Sequence, residues 1–286
     1  LSRYAEFVSF CPEHLAFGTP RDSIRLVNHP EGITVEKNRT SEDVTPALTR
    51  ASREELDRIT KQPLCGIILK SKSPSCGLGS TVLYRPNGYA ETKENGIFAK
   101  LCKDTFPLLP IEEEGRLRDP WLRENFMMQI FAYRDFEHFK AAAREMKELV
   151  AFHQSCKFML QSKSEEHYRR LGYIVANHGK KNYKEVLYAY EKHFKEAISH
   201  KSSIGKTRNV LEHMAGFLKK EINKTEKKAL HGQIQDYSSR IIPLITPLST
   251  IDMLAKAYNI TYLLGQKFLH PYPKELELRS DRKSGK

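Results

Sequence analysis

At 286 residues, 40% of them hydrophobic and 29% charged, the chain is long enough for about two domains and apolar enough for a buried core. That composition excludes a wholly disordered chain, a collagen and a coiled coil, and no apolar run reaches the ~18–20 residues of a membrane span. The net charge of +12 sits in one half: residues 1–140 hold 20 basic and 20 acidic side chains, residues 141–286 hold 27 and 15.

The first half reads as alternating strands and helices. Ala5 to Phe10 (AEFVSF) predicts a short strand stopped at Pro12, which cannot donate to a sheet ladder. Ser41 to Thr60 predicts an amphipathic helix around Leu48, Leu56 and Ile59. Gly66 to Lys70 is continuously apolar until its last residue, the pattern of a buried parallel strand. It runs into a loop, Ser71 to Ser80. TVLYRPNGYAET predicts a hairpin turning at Pro86-Asn87-Gly88, and Gly96 opens another helix. Strand–helix–strand order implies parallel pairing with right-handed crossovers.

The second half reads as helical. Periodicity runs from Asp135 to Leu171 and breaks at Gly172; further helices are expected over 182–198, 208–219, 225–241 and 251–269. Long helices with short links indicate a bundle. The tail after Pro273 is polar and ends in SDRKSGK, expected as a frayed basic terminus. The fold class is an α/β N-terminal domain with a mainly parallel sheet, followed by an all-α helical-bundle domain. The boundary is expected between residues 134 and 135.

The neutral half suits a small-molecule or catalytic site and the basic half a polyanion, though lysines also keep surfaces soluble. Five cysteines without a CxxC pair, and no secretory signal, indicate a reduced, cytoplasmic compartment. Neither a membrane nor an obligate protein partner is indicated. Cys11 and Cys76 each follow an expected parallel strand, at the edge where open α/β sheets bind ligands. They either share one crevice or are two small buried hydrophobes. His153 and Cys156, three apart on a helix, suit either a ligand pair or packing. His193 and His213 on Lys-rich helices suit either phosphate contact or solvated surface.

Four stretches of the first half, FCPEHLAFGTPR (Phe10 to Arg21), ILKSKSPSCG (Ile68 to Gly77), GIFAK (Gly96 to Lys100) and LPIEEEGRLRDPWLRENF (Leu109 to Phe126), together resemble the thiouracil desulfidase (TudS) family. LVAFHQSCKFMLQSKSEEHYRRLGYIVA (Leu149 to Ala176), NVLEHMAGFLKK, IIPLITPL and FLHPYP resemble the YbgA-type helical domain. The fused layout resembles that of RudS-type desulfidases, which remove sulfur from 4-thiouridine in tRNA. The resemblance implies a desulfidase domain over 1–134 and a basic, tRNA-holding domain over 135–286. It further implies a 4Fe-4S cluster on three cysteines, with one iron left open. Two of the three map onto Cys11 and Cys76. The family's catalytic glutamate maps onto Glu13 and its serine onto Ser73. The third cysteine belongs to an N-terminal SxCLLG-type motif that is not in this sequence, so the chain is expected to begin inside the helix that follows it.

The chemistry so implied is coherent. Thiolates are the usual cluster ligands. An open iron takes a soft thiocarbonyl sulfur and acts as a Lewis acid, making carbon four of a thiolated pyrimidine base more electrophilic. Glu13 deprotonates the attacking water and Ser73 positions the base or the water. Sulfur leaves without net redox. A tRNA partner accounts for the charge split. Its candidate phosphate contacts are Lys157, Arg169, Arg170, Lys180, Lys181, Lys206, Arg208, Lys219 and Lys220. The other readings are a desulfidase for free thiouracil and a nonenzymatic RNA-binding protein that has lost its cluster.

Overall fold

The computed structural model describes residues 2–276 and 278–281; positions 282–286 of the expected basic terminus lie outside the described residues. The chain divides into two compact units, Leu1–Arg118 and Asp119–Lys286. Charge follows this division: residues 1–118 hold 17 basic and 16 acidic side chains, residues 119–286 hold 30 and 19.

The first unit runs α1 (Pro12–Phe17), β1 (Ile24–His29), β2 (Gly32–Lys37), α2 (Thr45–Thr60), β3 (Ile67–Leu69), β4 (Thr81–Tyr84), β5 (Ala90–Glu94), α3 (Ile97–Thr105) and β6 (Ile111–Glu113). Four strands form one sheet in the order β2-β1-β4-β5; β3 and β6 form a second. Parallel pairing occurs at β1·β4 and β3·β6, antiparallel pairing at β1·β2 and β4·β5. The α/β class holds, but the sheet is mixed and not mainly parallel. The cause is connection length. Pro30 and Glu31 alone join β1 to β2, and so short a link serves only antiparallel neighbours. The longer crossovers, through α2 and α3, give the parallel pairs. Ile24, Leu26, Val35, Val44, Leu48 and Leu83 close a small core between this sheet and α2.

One strand expectation needs correction, and one hairpin was not expected. Residues 5–10 form no strand. They pair in no ladder, and Phe10 packs on Phe98 of α3 at a ring separation of 4.9 Å. The β1–β2 hairpin went unread because its turn, Pro30-Glu31, lacks the Asn-Gly signature that marked the second hairpin.

The second unit is helical: α4 (Pro120–Ala142), α5 (Met146–Lys163), α6 (Glu165–Ala176), α7 (Tyr183–Ser199), α8 (Ile204–Leu218), α9 (Lys224–Ser238), α10 (Ile245–Ala257) and a short α11 (Thr261–Leu264). The boundary expected at 134/135 would cut α4 in its middle. The helix starts earlier because Asp119 caps it, accepting the N–H groups of Trp121 and Leu122, with Pro120 in its first turn. The break expected at Gly172 falls at Ser164. Its side chain caps the His167 N–H and opens α6, while Gly172 stays helical. The helix expected over 251–269 starts earlier, at Ile245, and ends at Ala257; Asn259 follows in the left-handed region, φ 54°. Phe136 lies at the centre of the core, its ring 5.0 to 6.1 Å from those of Phe139, Phe152, Tyr190 and Phe194. No described helix is long and apolar enough to cross a membrane.

Candidate functional site

Cys11 is the N-cap of α1, its sulfur accepting the His14 N–H at 3.3 Å. The segment before it is tied to α2. Glu55 accepts the Cys11 N–H at 3.2 Å and Arg58 donates to the Ser9 carbonyl at 2.5 Å. Glu13 follows in the first turn of α1.

Opposite lies the loop 71–80, held at both ends by consecutive carboxylates at the end of β6. Glu114 accepts the Ser71 N–H at 2.7 Å and the Lys70 ammonium at 2.9 Å. Its partial burial would raise its pKa, but these donors outweigh that and hold it down at about 2. Glu113 accepts the Leu78 N–H at 2.6 Å and the Ser80 hydroxyl. The first turn of α3 presses on the same loop. Phe98 and Ala99 donate their N–H groups to the Ser75 carbonyl at 2.8 and 3.1 Å. That approach explains Gly96, where a Cβ would lie 2.4 Å from Ser75 backbone atoms.

These elements converge on the Glu13 carboxylate. Ser73 and Ser75 each donate a hydroxyl to Oε1 at 2.7 Å, and Arg21 Nε donates to Oε2 at 3.2 Å. Both thiols border the cluster. Ser75 Oγ lies 3.4 Å from Cys76 Sγ, and Arg21 Nη2 lies 4.0 Å from Cys11 Sγ. The four residues the sequence singled out, Cys11, Glu13, Ser73 and Cys76, are thus brought together. Burial pushes the Cys76 thiol up to about 11, with Glu13 and Cys11 adding to the rise and the Ser75 hydroxyl opposing it. A metal there would have to displace that proton.

Two thiol sulfurs match an iron–sulfur cluster in kind but not in number. Cys102 is fully buried, its thiol pushed to about 12 by burial. Among the described residues no group of three His, Cys, Asp or Glu side chains could hold a metal ion. The residues present therefore do not complete a cluster site. A separate cleft of about 410 Å³ is lined by Arg25, Lys72, Pro74 and Tyr84 but by none of these four residues.

Ser75, Arg21, Glu113 and Glu114 were missed as site residues. All four stand inside the stretches that carry the family resemblance. What hid them is that a hydroxyl, a guanidinium and two carboxylates have no spacing rule. Their partners lie 8 to 62 positions away.

The basic candidates are dispersed over the helical unit. Arg169 and Arg170 are exposed on α6, with Lys180 and Lys181 in the loop that follows. Lys206 and Arg208 open α8, and Lys219 and Lys220 follow its end, ~20 Å away at 1.5 Å per residue. Lys157 on α5 lies over the Phe158 and Phe217 rings, 5.4 and 5.7 Å from their centroids. Tyr173 and Tyr188, on the packed pair α6 and α7, stand 72% and 80% exposed. His153 is in the core, stacked on Tyr168 and bonded to Tyr190 at 3.2 Å; burial holds its imidazole down at about 4. Cys156 is fully buried.

Residues 1–114 match the family described as 2-thiouracil desulfurase, and residues 157–273 the family described as protein of unknown function DUF1722. The uncharacterized protein YbgA of Escherichia coli (strain K12) is 27% identical over 157 residues, 54% of this chain and 93% of that protein. A solved structure of the 4Fe-4S-dependent thiouracil desulfidase TudS is 26% identical, covering 39% of this chain and 69% of that one at a TM-score of 0.31. The chain is thus similar to the 2-thiouracil desulfurase family over residues 1–114 and to the DUF1722 family over residues 157–273.

Proposed function

We propose that the protein removes sulfur from 4-thiouridine in tRNA, leaving uridine, and that Glu13 is the general base. The observation that carries this reading is the triply bonded Glu13 carboxylate between two thiols. An ionised carboxylate only accepts hydrogen bonds, and here three donors fix its plane. Water adds to carbon four as Glu13 takes its proton. Glu13 returns that proton to sulfur as the carbon–sulfur bond breaks, sulfur departs as hydrosulfide, and the added hydroxyl loses its proton to solvent, leaving a carbonyl. No oxidation state changes. Ser73, within 2.9 Å of Ser75 and bonded to the same carboxylate oxygen, positions the base or the water.

Cys11 and Cys76 are the two thiolates this chain would offer to a 4Fe-4S cluster; the described residues bring no third donor to them. Such a cluster would supply a Lewis-acidic acceptor for the departing sulfur.

The helical unit, carrying 30 basic against 19 acidic residues, holds the tRNA. Dispersed cations suit a strand contacted over several phosphates, and the exposed Tyr173 and Tyr188 offer faces on which an unstacked base can rest. Reaching the Glu13 carboxylate requires the target base to leave its stack.

The test is anaerobic reconstitution with iron and sulfide, then turnover of thiolated tRNA against free 4-thiouracil across a salt series. Faster turnover of the tRNA, with binding that weakens steeply as salt rises, is expected. Equal turnover and a flat salt response would move the substrate to the free base. No cluster absorption and no turnover, with RNA binding retained, would favour the nonenzymatic reading, which the incomplete donor set keeps open. Cys76→Ser is expected to abolish hydrosulfide release and leave RNA binding intact.

A further inference from the structure

Lys163 ends α5 with its side chain buried, 1% exposed. Its ammonium has three protons to donate and, among the described residues, one acceptor, Asn125 Oδ1 at 2.6 Å. No described carboxylate lies within ion-pairing distance. Glu124, the acidic group it feels, is already paired with Arg279 at 3.0 Å. Lys206 and Lys201 add like charge. Burying a cation without a counter-charge is costly, and such costs cluster at functional sites.

What surrounds this charge is rich in donors. Lys206, in the first turn of α8, donates to the Lys163 carbonyl at 2.8 Å. Ser164, next in the chain, bonds His167 Nδ1 at 2.9 Å, and the His167 ring lies 4.8 Å from that of His200. His200 is lowered in pKa by partial burial, then by His167, Lys206 and Lys163. At the start of α8 the Ser203 cap takes the N–H of Lys206, while the N–H groups of Ile204 and Gly205 take no partner among the described residues. Nothing lies within 4 Å of where a Gly205 Cβ would be. The carboxylates nearby are Glu196, facing His193 at 2.9 Å and His167 at 3.8 Å, and the exposed Glu166.

We propose that the α5–α6 junction and the start of α8 form a site for a phosphoryl anion. His167, His200, Lys206 and the Ile204 and Gly205 N–H groups hold it, with Lys163 as the buried charge behind. Such a group is either a phosphodiester of the RNA strand or free phosphate. Only the first source rests on the tRNA reading above.

The full chain is titrated with inorganic phosphate, followed by phosphorus NMR and by thermal melting. Saturable binding is expected, weakened about tenfold by His200→Ala or Lys206→Gln, the ratio that one lost charge-assisted hydrogen bond gives. Lys163→Met is expected to weaken it too without lowering the melting temperature, which separates lost affinity from lost fold. Unfractionated tRNA then identifies the source. Displacement of phosphate, with weaker tRNA binding in the variants, supports the phosphodiester. Undisplaced phosphate supports free phosphate. If the wild type binds no tRNA, the tRNA reading fails while the phosphate titration still decides this site. Absence of saturable phosphate binding, together with tRNA affinity unchanged in all three variants, overturns the proposal.

Discussion

The first unit places its reactive groups on backbone outside its sheets: Cys11 at a helix cap, Ser73, Ser75 and Cys76 in a loop. The helical unit places its unusual charge where helices begin and end, Lys163 closing α5 and Lys206 opening α8. The difference lies in what each core can hold. Six buried residues close the core between the four-stranded sheet and α2, so the site loop is fixed by hydrogen bonds from Glu113 and Glu114. The helical unit has an aromatic centre around Phe136 and can accommodate a buried ammonium. A loop fixed by polar contacts sets a few atoms precisely for chemistry. A large apolar core can carry a charge that costs it stability.

The sharpest way to break the comparison is at Glu13. Glu13→Gln keeps the shape and one accepting oxygen for the Ser73 and Ser75 hydroxyls, but loses the base and the second acceptor, which faces Arg21 Nε. Turnover is expected to fall about 10²–10⁴-fold with melting temperature nearly unchanged. A loss of fold instead would make Glu13 a structural clamp like Glu113, and the division of labour drawn above would fail.

Next in size is the aromatic centre. Phe136→Ala removes a ring in contact with four others and leaves a cavity in a fully buried place. It is expected to cost ~3–5 kcal/mol by denaturant unfolding. A smaller cost would mean that the helical core collapses around the gap and has less reserve than its packing suggests.

How far these features could be read in advance depended on whether a local signal existed. The helix over α2, the second hairpin and the helical character of the second half follow from periodicity and from Asn87-Gly88. The capping geometry at Asp119 and Ser164 decides where helices begin, yet both residues are ordinary in composition. Periodicity alone therefore puts the domain boundary inside α4 and the α5–α6 break at Gly172. At the site, Cys11, Glu13, Ser73 and Cys76 were reachable through motifs. Arg21 and Ser75 became visible only once the fold brought residues 11–21 against residues 73–76. Lys163 gave no signal at all. It sits in the stretch QSKSEEH, which reads as a solvated helix end, and only tertiary packing buries it.

The smallest effect tests that burial most directly. Burial, reinforced by Arg279, Lys206 and Lys201 and opposed by Glu124, brings Lys163 down from 10.5 to about 7. A lysine with a depressed folded-state pKa binds its proton more readily in the unfolded chain. Stability should therefore fall as pH drops from about 10 toward 7, and the penalty should be complete below 7, where both states are charged. Lys163→Met removes the charge at similar length. Asn125 Oδ1 keeps the Ser202 N–H at 2.9 Å and hydroxyl at 3.2 Å, so no acceptor is orphaned. The variant is expected to gain ~1–4 kcal/mol at neutral pH and to lose most of the wild type's slope between pH 7 and 10 in thermal melts. A variant less stable than wild type at pH 7 would mean that the Lys163–Asn125 bond holds α5 to α4, and the buried charge would then need no ligand to account for it.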